Sequence, residues 1–517
     1  MKLKHRPAVS QGSLDRLLKA AGDAWSRKKF TEAIEHQERA SQLDPANVNI
    51  LLNLGNYHGL RYDPAAAERC FDKAARLAPD KAVALAMAGV QAADFGNYEM
   101  SERYFLRALQ EKSAIPKMWA QLAKVYERQR RLDEAAALVD RALHQNPQCL
   151  PALLARARLE RQAGRIEAAE QTLRSLVKLP NPDVWVDAQA WYELGQVLDR
   201  QGKYDEAMAA FVPAKAKMLS QSGRFLHELK VVRQRLKVMS ENLTAETLQR
   251  WFDTLPSLPP PRRIALLGGH PRSGTTLLEQ VLDSHPDLTS LEETMNFHDD
   301  AYSLLLQRMP DETPILPVLE AATVDTLQQA RANYFRTAEL FQNEPLGGRL
   351  LIDKNPSLTY LIPQMIRIFP EIKLLIALRD PRDVALSVFM QPLPFGQGGS
   401  AYLTLGGTVT DYAAMMGQWL TLKPMLAGHY LEVRYEDMVE DLETVARKSL
   451  DFLGVPWDAK VLGFDEHARK KLVRSPTYAD VTQPVYKRAV GRWQHYQKYL
   501  EPHLEKLEPF VKAFGYE

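Results

Sequence analysis

The sequence of 517 residues predicts two architectures in series: an all-α superhelix of repeated helix pairs, then an α/β, P-loop-like domain built on a central parallel sheet. Three observations predict this. Small residues recur with a period of about 34 through the first half. Short apolar runs alternate with helical patterns through the second. Between them, Ile264–Leu278 reads as a buried strand, a glycine-punctuated loop and a helix start.

The repeats come first in the chain. Ala40, Ala74, Ala108 and Ala142 share one phase, and Ala33, Ala67 and Ala135 another, with Ser101 as the small substitute. Phe71 and Phe105 share a third, and Pro45, Pro79 and Pro147 a fourth, where Ser113 fills the remaining slot. This is the tetratricopeptide pattern: small side chains let paired helices approach, and the proline ends each pair. Looser copies follow through Gly164 and Ala169, then through Trp191, Gly195, Tyr204 and Phe211 after an insertion at Pro180–Pro182, giving about six repeats over 14–221. Their inner face is expected to recruit a peptide, with a rigid spacer or a self-association surface as the equal alternative.

Residues 222–261 read as a helical bridge, with Leu226, Leu229, Val232 and Leu236 on one side, ending in the proline-rich run that begins at Pro256. The second domain is expected over 262–517. Strands are expected at Ile264–Leu267, Asp287–Leu291, Leu350–Ile352, Lys373–Leu378 and His429–Val433, and helices include Ala322–Glu339, Leu358–Phe369 and Leu442–Leu453. Ligands of such a sheet sit at the carboxyl ends of its strands. The residues there are Arg272–Thr276, Glu292–Glu293, Asp353–Asn355 and Arg379–Asp380.

The loop Gly269–Thr276 offers backbone N–H groups to a phosphate, but Thr275 stands where a nucleoside-triphosphate loop carries lysine. Successive residues of an extended segment point to opposite sides, so Glu292 and Glu293 are not expected to share one task. Asp380 and Pro381 make a helix start, with Ser387 two turns in. His270 is read as filling a turn position rather than as catalytic. Tyr435 is open between a place beside a bound base and the core.

Composition excludes several classes. Lys+Arg 66 against Asp+Glu 64 leaves no global field for nucleic acid. Cys70 and Cys149 form neither a disulfide framework nor a metal pattern. The amino-terminal residues lack the apolar core of a secretory signal, and no apolar stretch is long enough to span a membrane, so the expected address is the cytoplasm.

With these residues in order, the second domain resembles the sulfotransferases, and among them the tyrosylprotein sulfotransferases. Pro271–Leu277 resembles their 5′-phosphosulfate loop, Arg379 with Ser387 their 3′-phosphate pair, and Lys354 in Asp-Lys-Asn-Pro their catalytic lysine. In Glu292-Glu293-Thr294 the offset matches Glu293 to the family's base; Tyr435 and Asp451–Trp457 fall in family order. The resemblance implies transfer of a sulfuryl group from 3′-phosphoadenosine 5′-phosphosulfate to an acceptor hydroxyl, without a metal. It assigns catalysis to Glu293, Arg272 and Lys354. It assigns donor binding to Arg272, Ser273, Gly274, Thr275, Thr276, Arg379, Ser387 and Tyr435, with Thr477, Lys487 and Arg488 from the C-terminal segment.

Two positions depart from the pattern. Gln391 stands where the animal enzymes are basic, and Gln483 replaces a lysine of their C-terminal loop, with Lys487 or Arg488 as candidate compensation. Lacking an anchor, the chain looks like bacterial-type proteins in which tetratricopeptide repeats precede a sulfotransferase domain. The expected acceptor is a tyrosine in a protein or peptide. The alternatives are a carbohydrate, lipid or small phenol, and, outside this class, a P-loop nucleotide kinase or switch, or a repeat scaffold without turnover.

Overall fold

The computed structural model describes residues 11–112, 115–180, 183–306, 313–392, 396–470 and 487–517. Ser113, Asn181, Pro182, Thr477 and Gln483 lie outside the described residues. The chain divides into two compact units, Met1–Leu179 and Pro180–Glu517.

The first unit is a series of helix pairs, from Gln11–Ser26 with Phe30–Leu43 to Leu150–Gln162 with Ile166–Leu176. Ala40, Ala74, Ala108 and Ala142 are all fully buried where paired helices meet. Glycines make the deeper holes. A Cβ on Gly55 would stand 2.4 Å from the Phe71 ring, and one on Gly89 3.0 Å from Phe105. In the next copy Ala123 and Val139 fill the same two places in one buried cluster. Helices end at Leu43, Leu77 and Gln145, each with a non-helical residue before a proline, because proline's ring disfavours the α conformation in its predecessor.

A further helix pair, Val184–Arg200 with Tyr204–Leu219, opens the second unit, and a Cβ on Gly195 would stand 2.6 Å from Phe211. The bridge follows as Gly223–Asn242 and Ala245–Phe252. Its buried stripe is Leu229, Leu236 and Met239, whereas Leu226 and Val232 are exposed. The expected four-residue face is therefore corrected to a narrower one.

Five parallel strands follow: β1 Ile264–Gly269, β2 Leu288–Glu292, β3 Leu350–Lys354, β4 Lys373–Leu378 and β5 Tyr430–Arg434, in the order β2-β3-β1-β4-β5. Ile264 and Leu266 face one core, Ala265 and Leu267 the other. Both faces are covered, so the strands read as continuous apolar runs, each buried leucine contributing about 2–3 kcal/mol. The chain leaves β1 for one side of the sheet, returns, and crosses to β4 on the other. This switch opens a crevice at the carboxyl end of β1. The helix expected over Leu358–Phe369 is a 3-10 turn, Pro356–Leu361, before a short α-helix, Ile362–Ile368. Pro363 lacks an N–H, so it can stand only in the first turn of the α segment.

Candidate active site

The loop after β1 is held by backbone geometry that needs its glycines. Gly269 has φ 119° and Gly274 φ 98°; a Cβ on Gly269 would reach 2.3 Å from the Ala377 carbonyl, one on Gly274 2.8 Å from Tyr435. Thr359 clamps the strand end, its hydroxyl accepting from Gly269 N–H at 2.8 Å and donating to Gly269 carbonyl at 2.9 Å. Ser273 N–H and hydroxyl both donate to the His270 carbonyl. The helix Thr275–Asp283 then starts without a side-chain cap. The first N–H groups of a helix have no intrahelical acceptor, the electrostatic setting in which an anion is favoured.

His270 is fully buried, and its Nε2 lies 3.4 Å from an Asp411 carboxylate oxygen. Arg233 and the hydroxyls of Tyr402 and Tyr360 converge on the same carboxylate. Burial works to raise the Asp411 carboxyl, but the adjacent His270 imidazole, then the Arg233 guanidinium and the Tyr402 hydroxyl, outweigh it and hold it down to about 2. His270 thus braces the loop's entrance.

Arg272, Arg379 and Ser387 come together from three elements. Arg272, at φ 75°, donates from Nε to Ser387 Oγ at 3.2 Å. Arg379 donates to the Arg272 carbonyl at 3.2 Å and to the Ala489 carbonyl, and lies 3.8 Å from Asp383. Its guanidinium sits 5.0 Å from the Tyr435 ring centre. Tyr435 is buried between that guanidinium and Gly274. Asp380 caps the helix Pro381–Phe389 through Arg382 N–H, as its sequence implies.

Both described C-terminal basic candidates are exposed. Lys487 pairs with Glu440 in an exposed ion pair, and Arg488 is exposed next to Ala489. At Gln391 it is the backbone carbonyl that is engaged, accepting from Lys215 at 3.1 Å.

Lys354, the last residue of β3, is fully buried with its ammonium 2.9 Å from Glu293, 3.4 Å from Glu279 and 3.7 Å from Glu292. Burial alone would lower its pKa, but the three carboxylates outweigh it and raise it well above the ordinary lysine value. Register explains Glu292, which pairs directly with Lys354 across β2 and β3 and so shares its face. Glu293 corrects the expectation of opposite sides. It leaves the extended conformation at φ 52°, its N–H donates to the Lys354 carbonyl at 2.8 Å, and its carboxylate turns back onto the same ammonium. A non-glycine residue in this region stores about 1–3 kcal/mol of strain, which the two bonds to Lys354 hold in place. The Glu293 side chain remains 42% exposed, whereas Glu279 is sealed.

Glu279 had no motif to reveal it. Its signal was the polar pair Glu279-Gln280 inside the apolar face of the loop helix, both fully buried. Glu279 also accepts from Ser290 Oγ at 2.7 Å. Among the described residues no group of His, Cys, Asp and Glu has the arrangement of a metal site, and no helix is long and apolar enough to cross a membrane.

Asp353 points away from Lys354 and accepts from Tyr334 at 2.8 Å. Burial pushes its carboxyl up to about 7, against the lowering effects of the Tyr334 hydroxyl and Lys354. The folded protein therefore holds this proton more tightly than the unfolded chain, and the stability it contributes is lost as pH rises from about 4 through 7. Urea titrations should show a steeper loss between pH 4 and 8 for wild type than for Asp353→Asn; parallel profiles would contradict this.

Residues 265–459 match the profile described as Sulfotransferase family, and residues 120–184 and 183–214 match the Tetratricopeptide repeat profile. An uncharacterized protein of Aquifex aeolicus is 28% identical over 354 residues, covering 66% of this chain and 44% of its own. Protein-tyrosine sulfotransferase 1 of Danio rerio is 30% identical over 242 residues, covering 44% of this chain and 65% of its own. The chain thus spans less than two thirds of the length of either relative. The sulfotransferase domain from the Synechococcus PCC 7002 olefin synthase aligns with TM-score 0.36 at 24% identity, covering 48% of this chain and 95% of that one. Residues 265–459 thus carry the sulfotransferase-family match, on the same chain as segments that match the tetratricopeptide repeat.

Proposed function

We propose that this domain transfers a sulfuryl group from 3′-phosphoadenosine 5′-phosphosulfate to a tyrosine hydroxyl of a protein or peptide. One observation carries the donor assignment: the uncapped helix start at Gly274–Thr276 is joined, through Arg272, to the buried pair Arg379 and Ser387. These are two anion-binding features a few residues apart, suited to a nucleotide bearing anionic groups on both sides of its ribose. The fit has a further mark. Arg379 Nε is buried and makes no hydrogen bond among the described residues, leaving a charged donor for such a group. When bound, the donor supplies the sulfuryl group and a phosphate leaving group.

The chain's own residues then divide the work. The N–H groups of Gly274–Thr276 and the hydroxyls of Thr275 and Thr276 hold the 5′-phosphate, while Ser273, whose N–H and hydroxyl both donate to the His270 carbonyl, shapes the turn. Arg379 and Ser387 hold the 3′-phosphate, with Tyr435 as a shelf beneath the guanidinium. Arg272 and Lys354 place positive charge where the leaving oxygen gains negative charge. Glu293, exposed on one side and tethered to Lys354 on the other, takes the acceptor's proton. Tyrosine as acceptor is supported by the name of the Danio rerio relative. The repeats are proposed to recruit the acceptor protein.

Calorimetry with 3′,5′-bisphosphoadenosine and with ATP tests the donor. The bisphosphate should bind at least about tenfold tighter, and Arg379→Ala should abolish that preference. ATP binding as tight as the bisphosphate, unchanged by Arg379→Ala, would refute the reading.

A further inference from the structure

The segment that holds Arg379 is itself held by the helix pair at 184–219. Ala489 takes the Arg379 guanidinium on its carbonyl. Two residues on, Gly491 N–H and Trp493 N–H donate to the two oxygens of buried Asp383, at 2.8 and 2.7 Å. Between them Arg492 reaches the other way, to Asp199 at the end of Val184–Arg200, with an ion-pair distance of 2.5 Å. The Tyr496 hydroxyl donates to the same carboxylate at 2.7 Å. Tyr204 stacks on His495, ring centres 4.3 Å apart, and Asp205 takes Lys498 and Tyr499.

A second tether runs to the helix that carries Ser387. Buried Lys215 donates to the Gln391 carbonyl at 3.1 Å and Gln196 to the Met390 carbonyl at 2.9 Å. Both residues lie on the helix pair, and both carbonyls lie at the end of Pro381–Phe389. One helix pair therefore grips both sides of the Arg379–Ser387 cluster.

We propose that Asp199 is a positioning residue for the 3′-phosphate pocket: by fixing Arg492 and Tyr496 it sets where Ala489 holds Arg379. The inference rests on the donor reading above and adds that a tetratricopeptide helix pair forms part of the donor site. Without Asp199, residues 489–493 keep their anchor on Asp383 but lose the opposing one, and Arg379 loses its fixed direction. The 5′-phosphate loop meets this network at the Arg272 carbonyl, but its own anchors, the Thr359 clamp and the Ser273 bonds to His270, do not pass through Asp199, so it is expected to keep its shape.

Calorimetry on the full chain, wild type and Asp199→Asn, separates these effects. Asp199→Asn should weaken 3′,5′-bisphosphoadenosine about tenfold and leave adenosine 5′-monophosphate unchanged, with the donor KM raised and kcat within about twofold. Tyr496→Phe, which removes a single hydroxyl, should shift the bisphosphate the same way by less and serves if Asp199→Asn does not fold. Equal weakening of both nucleotides, or unchanged bisphosphate affinity in the folded variants, overturns the inference. If wild type shows no preference for the bisphosphate over the monophosphate, the donor reading itself fails.

Discussion

Lys354→Met is expected to destabilise the protein by about 3–5 kcal/mol and to lower transfer by about two to three orders of magnitude. The stability loss comes from what remains. Glu279 and Glu292 are buried beside the ammonium, and without it two carboxylates face one another in a site closed to water. Methionine replaces most of the packing, so the loss reports charge rather than a cavity. Two controls identify the cause. Glu279→Gln added to Lys354→Met should recover part of the stability, and the deficit should shrink toward pH 4, where protonation removes the repulsion. Denaturation curves showing a deficit independent of pH would argue for lost packing instead. The transfer loss is expected to survive in the double variant, because the positive charge is still missing.

Glu293→Gln should lower kcat by about two to four orders of magnitude while leaving bisphosphate binding and stability near wild type. The amide keeps an oxygen for Lys354, so the positive-φ turn and its two bonds persist. Half-exposed Glu293 leaves no sealed polar group behind. Only the capacity to take a proton is removed. Loss of nucleotide binding together with activity would instead make Glu293 a structural residue, and retained activity would remove it from the chemistry.

The sequence made the repeats and strands legible for physical reasons. Helix pairs need small residues at fixed crossings, so Ala40, Ala74, Ala108 and Ala142 announce a period. Strands covered on both faces need unbroken apolar runs, so the expected and observed ends of Lys373–Leu378 coincide. The loop and Lys354 stand where strands finish, the end of a parallel sheet at which ligand-facing residues gather. What stayed hidden depends on backbone torsion or on distant partners. Nothing local in Glu-Glu-Thr requires φ 52° at Glu293; Lys354 imposes it from the neighbouring strand. Asp411 beneath His270, and Asp199 beside Arg492, meet only after folding, so no spacing rule reaches them. Leu226 and Val232 misled because helical spacing gives a side of a helix, not the width of what covers it.

The glycine–phenylalanine pairs carry a consequence for how such arrays change. Gly55 with Phe71, Gly89 with Phe105 and Gly195 with Phe211 join a deep hole to a large ring, while Ala123 with Val139 joins a shallower hole to a smaller plug. The filled volume is shared between two positions on partner helices. A methyl gained on one side is tolerated when bulk is surrendered on the other. Successive copies can thus drift apart in spelling as coupled doublets while the stacking distance of the solenoid stays the same.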